Sequence, residues 1–314
     1  MTTLYIDKKG LQLDIEGAAI ILREQGKKIG TVPLGPVQRI FMRGDVSLPA
    51  RLLAKLGELG IGLVLLSGWH SKPTLFLPRA HHDARHRLRQ AQHYARPAYR
   101  QEEAQLLLAS KLAAQISELE ASLAHNPALR YPLLHALREL RAMHATLAQQ
   151  ADLAAMLGWE GAAAHIYYRA LGATFPDWTG FSGRNRRPPR DPVNVLLSLA
   201  YTLLHAEAVL ALYEVGLDPD IGMLHALSVG RESLACDQIE PLRPLVDRWV
   251  AGQLWQEVFT ASDFSTDDSG CHFDKTARMR FYAAWEKAMP AWRNQLQEQA
   301  RALLARLAQR PCAV

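Results

Sequence analysis

Cysteine is scarce in this 314-residue sequence. Its three copies, Cys236, Cys271 and Cys312, are widely spaced and form neither a CxxC pair nor a disulfide framework. There is no P-loop, no GxGxxG after a strand, no GxSxG and no HExxH. These absences argue against nucleotide hydrolysis, dehydrogenase chemistry, serine hydrolysis and zinc proteolysis. No apolar run approaches the ~20 residues that a membrane helix needs. The start, MTTLYIDKKG, lacks the basic and then apolar layout of a signal peptide. The expectation is a cytoplasmic protein of a reducing compartment with no membrane partner. Lysine is also sparse: nine Lys stand beside 27 Arg, against 31 acidic residues, for a net charge of +5. Mild basicity permits an anionic partner. The arginine skew suits bidentate phosphate contacts, although a GC-rich genome produces the same skew. Apolar residues make up 49% of the chain, which excludes a mainly disordered protein.

The chain divides into two unlike parts. Residues 1–78 read as a β-rich N-terminal domain. Leu4–Asp7, Leu11–Ile15, Ala19–Arg23, Lys28–Pro33 and Val37–Met42 are short apolar and β-branched runs. Lys9-Gly10, Glu16-Gly17 and Gln25-Gly26 separate the first four, as in a meander. A helix is predicted after Ser47 as N-cap and Pro49 in the first turn, ending at Gly60, with strands at Ile61–Leu66 and Thr74–Leu77. Residues 79–97 read as a basic linker. Residues 98–314 read as an all-helical domain, because their apolar residues recur every three or four positions. Leu106, Leu108, Leu112, Ile116, Leu119 and Leu123 trace one long helix that stops before Pro127; Leu133, Leu137, Leu140, Met143 and Leu147 trace the next. Asp191-Pro192 marks a helix start that Gly216 closes. The fold class is α+β, a small sandwich-like β domain followed by a larger helical one.

Two segments concentrate the basic residues. Residues 79–100 hold six Arg and four His, with Tyr94 and Tyr99 interleaved. Residues 184–190 (RNRRPPR) hold Arg184, Arg186, Arg187 and Arg190. Clustered arginines with aromatics suit a surface that follows a phosphate backbone, and a solvated linker or loop is the plain alternative. Three stretches carry ionisable residues in apolar surroundings. Glu160 lies in GWEGAAAHIYY, near the start of an Ala-rich helix. His225 lies on a short helix between Gly222 and Gly230. Asp237 and Glu240 are three residues apart on one helix face. Each alone has an ordinary structural explanation. Together, oxygen ligands and one imidazole suit Mg²⁺ or Mn²⁺, able to polarise a phosphodiester. Cys271, His272 and Asp274 lack a second spaced pair and read as a polar loop.

At these residues the sequence resembles the CRISPR-associated adaptation endonuclease/integrase family, the universal first CRISPR-associated protein. The resemblance rests on GWEGAAAHIYY, FSGRNRRPPRDPVNVLLSLAYTLL, GLDPDIGMLH and GRESLACDQIEPLRP, in that order. Cys236 and Gln238 depart from residues usually apolar in the family. The resemblance implies a helical catalytic domain in which Glu160, His225 and Glu240 hold a divalent metal, with Asp237 close by as a further catalytic residue. It implies a homodimer that joins a small ferredoxin-like partner, the second CRISPR-associated protein, in a heterohexamer. It also implies metal-dependent DNA cleavage and insertion of short DNA fragments by 3′-hydroxyl attack on the repeat, with the four arginines positioning the DNA. A non-catalytic DNA-binding subunit and a metal-dependent phosphohydrolase of small molecules are the competing expectations.

Overall fold

The computed structural model describes residues 2–66, 73–78, 83–185 and 188–309. Strands β1 (Thr2–Asp7), β2 (Leu11–Glu16), β3 (Ala19–Glu24), β4 (Lys27–Pro33) and β5 (Val37–Arg43) fall where the apolar alternation predicts them. Gln25 and Gly26 both have positive φ, and Glu24 pairs with Lys27 across them. Such a two-residue turn matches the natural twist of a hairpin. The short strand β6 (Val46–Ser47) precedes helix α1 (Ala50–Glu58), and β7 (Gly62–Leu66) and β8 (Thr74–Phe76) follow it. Ser47 ends β6 and does not cap α1, which starts at Pro49 without a side-chain cap.

The strands form two sheets, ordered β1-β5-β7-β8 and β4-β3-β2-β6. β2, β3 and β4 make the expected meander, but β1 leaves it to pair in parallel with β5. Ile6 and Ile40 of one sheet, Leu13 and Ile20 of the other, and Leu52 of α1 share one core. This is the sandwich-like arrangement expected of the N-terminal part.

The larger part contains α2 (Arg85–Tyr94), α3 (Pro97–His125), α4 (Arg130–Thr146), α5 (Leu153–Gly172), α6 (Pro192–Glu214), α7 (Ser233–Ile239) and α8 (Arg243–Trp255). Then come strands β9 (Phe264–Asp267) and β10 (Gly270–Phe273), and helix α9 (Lys275–Gln309). Asp191 caps α6 as predicted, accepting the Asn194 amide at 2.9 Å. The β9-β10 hairpin breaks the otherwise helical order, and it contains Cys271 and His272, read from sequence as a loop. The compact units are Met1–His82 with Arg278–Pro290, and Asp83–Ala277 with Ala291–Val314.

Residues 83–97, within the expected linker, therefore sit in the helical unit. Gln90 on α2 is fully buried and clamps the chain at 218–221. Its amide donates to the Asp218 and Ile221 carbonyls, and its oxygen accepts the Asp218 N–H at 2.8 Å. Against the expectation that no apolar run comes near a membrane helix in length, helix α6 has the length and hydropathy of such a span, a mean hydropathy of 1.8 over eighteen residues. Its window is 83% buried inside the fold, so it is the core helix of this unit. Its one buried acid, Glu207, forms a two-pronged pair with Arg293.

Candidate metal centre

Four elements converge on the predicted acids. Helix α3 presents Leu108, Leu112 and Leu119 as one buried stripe, and Lys111 and Gln115 fall on the same stripe. Helix α5 starts after its cap Asp152, which places Glu160 in mid-helix and not at the helix start that its sequence suggests. Leu224 packs with Ala104 and Leu108 of α3, Leu147, and Met156 of α5, with Trp159 against them. That apolar anchor fixes the residue before His225, and His225 is near enough to Glu240 to act on it electrostatically. His225 itself lies in an irregular segment, not on the short helix expected. The segment approaches α7 so closely that a β-carbon on Gly222 would lie 2.7 Å from the His225 carbonyl oxygen and 2.8 Å from the Ser233 carbonyl carbon. Glycine is therefore required there for space.

Asp237, on α7, is 2% exposed and organises this segment. Its Oδ2 accepts the backbone N–H groups of Met223 (2.6 Å) and Leu224 (3.1 Å). Its Oδ1 accepts the His225 N–H at 3.2 Å and lies 2.6 Å from His225 Nδ1. An ionised carboxylate only accepts, so Nδ1 carries the proton. In a neutral ring Nε2 then keeps the lone pair that a metal needs.

Glu240 follows α7 in a 3-10 turn, and its carboxylate is nearly buried. Lys111 Nζ is paired with Glu160 Oε1 and with Glu240 Oε2. Arg243 Nε lies 3.0 Å from the other Glu240 oxygen. Burial alone raises the Glu240 pKa, but Arg243 and Lys111, helped by nearby His225, overcome this and hold it at about 2. Burial likewise works against a charged Lys111, yet Glu240 and Glu160 keep its ammonium more strongly protonated than usual. Among the described residues, no three His, Cys, Asp or Glu side chains are gathered closely enough to hold a metal as they stand. Lys111 lies between the two carboxylates. The donor set nevertheless fits a hard divalent cation. Two carboxylates already share one cation, and beside them is an imidazole backed by a carboxylate.

Behind this site is a buried polar network. Arg243 lies over the Tyr201 ring at 4.6 Å and Arg184 over the same ring at 5.3 Å. Tyr201 and Tyr167 donate their hydroxyls to Asp247, the latter at 3.0 Å. Burial pushes the Asp247 carboxyl up to about 7, against the opposing pull of those hydroxyls and of Arg184 and Arg243. Arg184 also donates to Ser198 Oγ (3.3 Å) and to the Asn185 carbonyl (2.8 Å). It is thus engaged within the fold, while Arg190 is exposed. Arg186 and Arg187 lie outside the described residues.

Lys111 and Arg243 are the site residues that sequence reasoning missed. Both leave a trace. Lys111 is a charge on an apolar stripe, and Arg243 stands three residues after Glu240, the spacing of neighbours on one helical face.

The family profile described as CRISPR associated protein Cas1 matches residues 4–287. The chain is 33% identical to CRISPR-associated endonuclease Cas1 1 of Thermodesulfovibrio yellowstonii, over 97% of this chain and 98% of that one. It is 34% identical to CRISPR-associated endonuclease Cas1 3 of Thermus thermophilus, over 90% and 81%. Among solved structures it resembles a Cas1 protein from Thermotoga maritima, with a TM-score of 0.83, 22% identity and coverage of 98% and 97%. It resembles equally a casposase bound to integration product, with a TM-score of 0.84, 21% identity and coverage of 100% and 92%. A chain of a Cas6-RT-Cas1–Cas2 complex matches at a TM-score of 0.83 and 21% identity, over 98% of this chain and 35% of that one. The structural likenesses concern the fold, and the sequence matches run nearly end to end: the chain belongs to the Cas1 family of CRISPR-associated proteins.

Proposed function

We propose that this protein is a divalent-metal-dependent DNA endonuclease and integrase that inserts short DNA fragments into a CRISPR array. The observation that carries this reading is the pairing of Glu160 and Glu240 around one cation, beside a His225 whose tautomer Asp237 selects. Curated relatives named as endonucleases, and the fold of a casposase bound to integration product, support it. Glu160, Glu240 and His225 Nε2 would hold Mg²⁺ or Mn²⁺. The chemistry such an ion supplies is stabilisation of the charge that develops on the attacked phosphate and the departing oxygen. Asp237 orients His225 and ties it to the 223–225 backbone; it is a positioning residue more than a ligand. Arg190, which is exposed, would meet a phosphate backbone together with Arg186 and Arg187 of the same RNRRPPR sequence, and Arg184 is held within the fold. A homodimer joined with the small ferredoxin-like second CRISPR-associated protein, in the cytoplasm, completes the proposal. The structural likeness to a chain from a Cas1–Cas2 complex is what supports the partner.

The test is strand transfer of a short duplex into a repeat-bearing plasmid, with Mn²⁺ or Mg²⁺ and the partner protein. Activity is expected to vanish with a chelator and in Glu160→Ala and His225→Ala. Undiminished joining in either variant overturns the assignment. DNA binding without any metal-dependent cleavage or joining favours a purely structural subunit. In the same assay series, Arg190→Ala weakens DNA binding across sequences and lowers the salt slope by about one counterion.

A further inference from the structure

The proposed metal ligands are not empty-handed, because a side chain from α3 already neutralises them. Lys111 is 7% exposed, and its ammonium touches carboxylates from α5 and from the turn after α7. We propose that Lys111 is a resident counter-cation: it holds Glu160 and Glu240 together in the metal-free protein and withdraws when a divalent cation binds. This rests on the reading of Glu160, His225 and Glu240 as the metal ligands, and it adds a residue that controls their affinity.

Space and charge lead to the same conclusion. A Mg²⁺ ion bonded to carboxylate oxygens sits ~2.0–2.1 Å from them. Lys111 Nζ touches one oxygen of each carboxylate, so an ion bridging those same two oxygens would compete with the ammonium for that place. The ammonium and the ion therefore exclude one another. The two carboxylates carry two negative charges, which a divalent ion balances unaided. Arg243 already sits on the outer oxygen of Glu240, so Lys111 together with the ion would leave an excess of positive charge among buried groups. A lysine suits such a temporary role, since its point charge rides on a flexible four-carbon stem. The pairing also explains why the donors do not close around one point as they stand. Lys111 sets the spacing of the carboxylates, and Asp237 holds the imidazole by Nδ1.

The experiment uses the full chain and Mn²⁺ alone. Binding is followed by calorimetry and by electron paramagnetic resonance in wild type and Lys111→Met. If the ammonium occupies the site more than nine-tenths of the time, its removal tightens Mn²⁺ binding by about tenfold or more. Lys111→Met is also expected to melt lower without metal and to gain more from Mn²⁺ than wild type. Should Lys111→Met fail to fold, wild type is decisive: reductive methylation of Lys111, read by mass spectrometry, rises several-fold on saturation with Mg²⁺. Equal or weaker Mn²⁺ binding by folded Lys111→Met, or unchanged Lys111 labelling in metal-saturated wild type, overturns the proposal while the metal reading stands. Absence of Mn²⁺ binding in both proteins overturns the two together.

Discussion

Asp237→Asn changes a single atom type in a nearly sealed pocket, and its consequences follow from four contacts. The carboxylate accepts two backbone N–H groups on Oδ2, and a third N–H together with the His225 ring on Oδ1. An asparagine can present an oxygen to only one of these pairs. Its NH₂ group must face the other: toward Met223 and Leu224 it strands two buried donors, and toward His225 it strands one N–H while the ring moves its proton to Nε2 and accepts. At ~1–3 kcal/mol for each unsatisfied donor, the loss is roughly 1–6 kcal/mol. That is a large part of the ~5–15 kcal/mol of a typical fold. For a chain of this size it corresponds to a drop in melting temperature of roughly 2–9 °C. The low end applies if the 222–225 segment frays locally and hydrates its donors. The functional effect is larger than the thermal one, because an amide no longer fixes the proton on His225 Nδ1: with its NH₂ toward the ring, Nε2 takes the proton and loses the lone pair. Loss of such a supporting partner costs ~10–100-fold in metal affinity. Calorimetric melting and Mn²⁺ titration of the same preparation measure both. A variant that melts within a degree of wild type and binds Mn²⁺ equally well refutes the positioning role.

Two further predictions concern the surrounding structure. Asp247 is held protonated up to about pH 7 in the fold but titrates near its ordinary value of 3.8 when unfolded. The native state therefore holds the extra proton, and stability falls as pH rises from about 4 to 7, by at most about 4 kcal/mol, then levels off. Asp247→Asn removes this dependence; its melting temperature should draw ahead of wild type across that window, and parallel curves from pH 4 to 8 would refute the assignment. Gly222→Ala places a β-carbon against the backbone of His225 and Ser233, which cannot give way as a flexible side chain would. Strand transfer should fall together with thermal stability, and a variant with full Mn²⁺ affinity would show that the approach is not required.

Much of the local structure was legible in the residues. The glycine-punctuated runs of the N-terminal part, the Asp191-Pro192 helix start and the long helix α3 appear where the pattern puts them, although Leu106 of its expected apolar series is exposed. These are local effects of turn geometry, capping and apolar period, which neighbouring residues settle among themselves. The errors were of two kinds. Helix starts were misplaced where a local signal competed with a better one upstream, as at Glu160, whose helix begins at the Asp152 cap. Pairings across the chain were missed altogether, such as the parallel union of β1 with β5 and the clamp of Gln90 on residues 218–221.

The site divides in the same way. Glu160, His225, Asp237 and Glu240 were identifiable from residue types, spacing and resemblance, and the sequence required nothing more to nominate them. Tertiary structure decided their surroundings. A carboxylate on a helix looks the same in sequence whether it faces solvent or is sealed against three backbone amides, as Asp237 is. Lys111 is one charge on an apolar stripe until folding brings Glu160, 49 positions away, and Glu240 against it. Arg184 belongs to a basic loop, yet it turns inward onto Tyr201, the same ring that carries Arg243. Period and composition report which side of an element is apolar. Which buried charge meets which other depends on how the elements pack, and that pairing turned a set of candidate ligands into a site with its own internal cation.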